Sequence, residues 1–90
     1  MLVLPAELTQ AQASACLQML AQALRALPDE VVVVDAGALE KFDTSALAVL
    51  LECRRQARTL GKTFGVRRLP ARLRELAGLY GVGELLPASP

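Results

Sequence analysis

No histidine occurs in this sequence. Its absence excludes Ser-His-Asp and Cys-His nucleophilic catalysis and removes the side chain that most zinc sites use. Tryptophan is absent too, and Phe42, Phe64 and Tyr80 are the only aromatics, so the core must be built from Leu, Val and Ala. The two cysteines, Cys16 and Cys53, form no CxxC and have no metal-ligand spacing. Each falls on an apolar helical face and reads as a reduced core thiol. Neither GxGxxG nor GxxxxGK occurs, so no glycine loop of these kinds is present to cradle a phosphate. No apolar run approaches the ~20 residues of a membrane span. Met1-Leu-Val-Leu-Pro5 lacks the charged region that opens a signal peptide. A cytoplasmic, non-enzymatic protein without cofactor or metal is expected.

What is present supports a packed domain. Apolar residues make up 53% of the 90, which argues against disorder, and the length fits a single domain over residues 1–90. The net charge of +1 is unevenly split. Residues 1–45 hold six acids and two bases, whereas residues 46–90 hold three acids and eight bases. Most of these arginines read as solvated helix faces. With no aromatics interleaved among them, nucleic-acid binding is not expected.

The apolar pattern alternates between strand and helix. Leu2-Val-Leu4 reads as a short strand ended by Pro5. Thr9 is a candidate N-cap for a helix over 10–27, with Ala13, Leu17, Leu20, Leu24 and Leu27 on one face. Val31-Val-Val-Val34, four β-branched residues without alternation, predicts a central strand covered on both faces. Residues 44–60 form the clearest helical pattern, closed by Gly61. Its core face is Ala46, Leu50, Cys53, Ala57 and Leu60. Residues 62–66 predict another strand. Leu73, Leu76, Ala77 and Tyr80 predict the inner face of a third helix that starts at Pro70 and is closed by Gly81. Val82, Leu85 and Leu86 predict a last short turn, and 88–90 a frayed tail. The order βαβαβα implies an α/β fold: a small mixed, largely parallel sheet with helices packed against it.

Two features of the 44–60 helix point to function. Asp43 is placed to cap it, its carboxylate accepting from first-turn amides, and Thr44 and Ser45 then sit at the positive end of the dipole. Capping alone accounts for this turn on local chemistry. A phosphate on either hydroxyl would also be tolerated there, yet would repel a partner packed on the same spot. The second feature is an outer stripe of Thr44, Ala48, Leu51 and Arg55, with Leu47 at its margin. It is oily near the helix start and basic further on, as a docking surface would be.

The strand Val31–Asp35, the segment Phe42-Asp-Thr-Ser-Ala-Leu47 and the Leu-rich helix that follows resemble the STAS domain. The resemblance runs from about Leu2 to Leu86, with Leu2-Val-Leu-Pro-Ala-Glu-Leu8 similar to the family's second strand and the turn after it. A counterpart of the first family strand is missing, and Ala46 stands where glycine is common. The closing segment Leu76-Ala-Gly-Leu-Tyr-Gly-Val-Gly-Glu-Leu-Leu-Pro87 is similar to the end of MlaB-type subunits of phospholipid ABC transporters. That resemblance implies a regulatory subunit bound to the transporter's cytoplasmic ATPase, peripheral to the inner membrane and supporting outer-membrane lipid asymmetry. Thr44 would match the functional threonine of that group, and Thr44, Leu47, Ala48, Leu51 and Arg55 would form the contact. The alternative within the family is an anti-sigma-factor antagonist. It would bind an anti-sigma factor or serine kinase and be released by phosphorylation at Ser45, the position matching that group's serine.

Overall fold

A computed structural model describes residues 1–89. Its helices fall close to where the periodicity puts them. Helix α1 spans Gln10–Ala26. Thr9 is its N-cap, and the Thr9 amide donates to Gln12 Oε1 at 2.9 Å, satisfying a donor at the helix mouth. Pro28 follows the helix, and Lys62 Nζ donates to the carbonyl of Leu27 at 2.9 Å. Helix α2 spans Ser45–Thr59, and Gly61 closes it with φ 74°. Helix α3 spans Ala71–Leu79, one residue after the predicted start, and Gly81 takes φ 71° beyond it. A 3-10 turn, Gly83–Leu85, then brings Leu86 into the core.

The strands are β1 (Leu2–Val3), β2 (Glu7–Leu8), β3 (Val31–Asp35), β4 (Lys41–Phe42) and β5 (Thr63–Arg67). The fold is the expected mixed α/β architecture with small parallel sheets. β3 is central in a parallel β1-β3-β5 sheet, with Leu2 beside Val34 and Val32 beside Phe64. Residues in register on parallel strands share a face, so Leu2, Val32, Val34, Phe64 and Val66 line one side. That side meets the helices: Leu20 and Leu24 of α1 and Leu50, Cys53 and Ala57 of α2 belong to the same apolar cluster and are all but sealed. Both cysteines are free and buried there. Burial, with Cys16 close by, pushes the Cys53 thiol up to about 11, and burial raises the Cys16 thiol as well.

Several expectations need correction. β3 is sealed on one face and covered only in part on the other, where Val33 is half-buried and Asp35 buried. Val31 and Val3, on the other face, are 62% and 54% exposed. Leu60 and Tyr80 are exposed rather than core, because each follows the last helical residue and the chain turns away there. β2 and β4, which the apolar pattern does not predict, pair in parallel as a separate two-stranded sheet. The tail is not frayed through Ser89. The Val66 amide donates to the Pro87 carbonyl and the Ser89 amide donates to the Val66 carbonyl, each at 2.9 Å. These bonds lay the tail along the open edge of β5, and an added Cβ on Gly65 would sit 3.1 Å from Ser89 Cβ. Pro90, the last residue of the expected frayed tail, lies outside the described residues.

Among the described residues one charged side chain is buried: Asp35, at the end of β3. Its carboxylate accepts from the Gly37 amide at 2.8 Å and from Arg68, whose Nε lies 3.1 Å away and whose second nitrogen completes a fork. Arg68 reaches back because its own φ is 56°, a left-handed conformation that side-chain-bearing residues adopt at a cost. Glycine at 37 leaves room for the guanidinium, since a Cβ there would lie 2.7 Å from Arg68 Nε. The Arg68 hydrogen bonds, then the Gly37 amide, hold the Asp35 carboxyl below its ordinary value of 3.8. A carboxyl depressed by folding stabilises fully above its unfolded pKa and loses that contribution as pH falls through the folded value. Asp35→Asn should therefore be less stable than the parent at pH 7 and lose stability more gradually below about pH 5. Denaturant melts at pH 7, 5, 4 and 3 check this; parallel acid limbs would show that Asp35 does not supply the difference.

Candidate functional site

The site is built where two strand-to-helix junctions meet. β2 leads into α1, β4 leads into α2, and the parallel pairing Glu7 beside Lys41 and Leu8 beside Phe42 sets the two junctions side by side. Asp43 ties them together. Its Oδ1 accepts from the Ser45 amide at 2.8 Å, and its Oδ2 accepts from the Gln10 amide at 3.2 Å. One carboxylate thus caps two helices, adding negative charge where both dipoles are positive. The Ser45 amide above all, then the Gln10 amide, holds the Asp43 carboxyl below its ordinary value. The helix is assigned from Ser45, but Thr44 already has helical angles, φ −62° and ψ −17°, which places Asp43 at the geometric cap.

Along α2 the expected outer stripe is mostly, not wholly, outside. Thr44, Ala48 and Arg55 are exposed, and the Thr44 hydroxyl makes no capping hydrogen bond. Leu51 is half-buried, one side against the core. Leu47 is corrected: only 4% of it is exposed. Ala46, Leu47, Val49 and Leu50 are all buried, as expected of a helix start that is apolar nearly all round. Leu47 at the stripe's margin turns inward and cannot offer its side chain to a partner. Ser45 is half-buried and hydrogen-bonded to Asp43. Arg55 is held by Glu52 one turn back, a pair open to water, which contributes little and yields readily.

The exposed surface is therefore a hydroxyl at Thr44, a small apolar patch at Ala48 and Leu51, and a cation at Arg55. Hydroxyl, methyl and guanidinium groups in that order can accept a packed helix or loop with a polar end. Among the described residues no group of three His, Cys, Asp or Glu side chains could hold a metal, and no helix is long and apolar enough to cross a membrane.

A family model described as Mlab, STAS domain, matches residues 1–87. The chain belongs to the STAS domain family, of the MlaB type. No curated protein matches it. STAS domains are in general non-catalytic regulatory domains that mediate contacts between proteins. In this STAS domain the segment Phe42–Leu47 is the junction that Asp43 organises. Sequence reasoning missed the Gln10 partner of Asp43, 33 residues away, for which no local signal exists. It also missed the Asp35–Arg68 pair. Asp35-Ala36-Gly37 did carry a signal, because an aspartate two residues before a tight turn often accepts from the backbone there.

Proposed function

We propose that this STAS domain is a non-catalytic regulatory subunit that docks, through the outer side of α2, on the cytoplasmic ATPase of an Mla-type ABC transporter. In that role it supports phospholipid transport and outer-membrane lipid asymmetry, peripheral to the inner membrane through its partner. The observation that carries the reading is an MlaB-type domain whose motif threonine, Thr44, is exposed with its hydroxyl unused at the head of an accessible helix face. Ala48, Leu51 and Arg55 continue the contact. The alternative, an antagonist of an anti-sigma factor released by phosphate on Ser45, is supported less well. A phosphate there would stand beside the Asp43 carboxylate that already binds the Ser45 amide, and like charges at that range repel.

The test is co-expression with the ATPase encoded in the same genome. Recovery of a stable complex from the parent, and its loss in Thr44→Glu with the thermal melt unchanged, is the expected result. Retention of the complex by Thr44→Glu would remove Thr44 from the contact. Recovery of a kinase-fold partner with a one-phosphate mass shift on Ser45 would select the other reading.

A further inference from the structure

Past the outer stripe, the C-terminal halves of α1 and α2 leave a groove of about 300 Å³ between them. Ala21 and Leu60 give it apolar walls, and Arg25 and Arg55 line it from the two helices. Leu60 keeps 46% of its surface in solvent. Arg25 is exposed and forms no salt bridge among the described residues; neither does Arg58, one turn beyond Arg55. Arg55 is itself paired with Glu52. The lining, which Gln56 and Thr59 complete, thus holds two cations and no acid.

Guanidinium groups facing a cleft favour carboxylates, which they bind in a bidentate fork, and the walls favour an aliphatic side chain. The cleft is concave, whereas attachment to an anionic membrane relies on apolar and basic groups that project from a helix face. We propose that this groove receives an acidic, leucine-bearing segment of a partner protein, its carboxylates on Arg25 and Arg55 and its leucine between Ala21 and Leu60. The proposal deepens the docking reading and rests on it in extending the same face of α2 through Arg55.

The test uses the full chain alone, with a fluorescein-labelled peptide Glu-Glu-Leu-Leu-Glu-Glu followed by anisotropy. The parent should bind saturably. Arg25→Glu should weaken binding about tenfold or more, Arg25→Gln should fall between, and Arg72→Glu, exposed on α3, should bind as the parent does. Absence of saturable binding by the parent, or an equal loss in Arg72→Glu, overturns the proposal. So does binding of the parent, but not Arg25→Glu, to phosphatidylglycerol vesicles with no affinity for the peptide, since the occupant would then be a lipid headgroup. Because no ATPase is present, failure here leaves the co-expression result standing, and failure of the complex to form leaves the peptide result standing.

Discussion

Leu50→Ala should lower stability by about 2–5 kcal/mol, the range for emptying a fully buried leucine site, and the melting temperature by on the order of 10–30 °C for a domain this small. Leu50 is 0% exposed and sits in the middle of α2, in the cluster that joins α1, β3 and β5. The lost transfer energy applies wherever a leucine is truncated; the cavity adds to it only where neighbours cannot close in. Here they are the branched side chains of a hydrogen-bonded parallel sheet on one side and a second packed helix on the other, so little collapse is expected. Leu50 faces away from Thr44, Ala48 and Arg55, so material that remains folded at low temperature should still bind a partner. A thermal melt together with a pull-down at 4 °C checks both statements. A fall below 1 kcal/mol would mean that the site collapses or that the α2–sheet packing is looser than described.

The same helix shows what a sequence can and cannot disclose. Ala46, Leu50, Cys53 and Ala57 are legible as an inner face because helical spacing alone brings them together, and all four are buried. Gly61 and Gly81 are legible as stops because their backbone angles favour glycine. Leu47 is not legible: at the margin of a stripe, a few degrees of helix rotation decide between core and solvent, and that rotation is set by packing. β2 and β4 are two residues each, too short to show any period. The junction at Asp43 is legible only by half. Its bond to Ser45 is local, whereas its bond to Gln10 depends on β2 pairing with β4. The single bridge between the tail and β5 is likewise a long-range pairing, and Pro87 next to it reads locally as a terminator.

Leu51→Arg should cost the complex with the partner at least about 2 kcal/mol, roughly a thirtyfold loss of affinity, the scale expected when a charge replaces an apolar anchor near an interface centre. Leu51 lies between Ala48 and Arg55 on the outer side of α2 and is half-buried against the core. In the free domain an arginine stem can follow the same apolar surface while its guanidinium stays in water, so the fold should survive. In the complex that water is displaced, and the charge is left without a counter-ion unless the partner offers an acid. Because part of Leu51 does pack inward, Ala48→Glu serves as the second variant: Ala48 is exposed, and its replacement removes no core contact. Co-purification of the ATPase, measured beside the thermal melt of each free variant, separates the two causes. Loss of the complex in both variants with melts near the parent's places the interface on this face. A complex retained by both would move it elsewhere, because a partner seated over α2 could not tolerate a positive charge at one position and a negative charge one turn away.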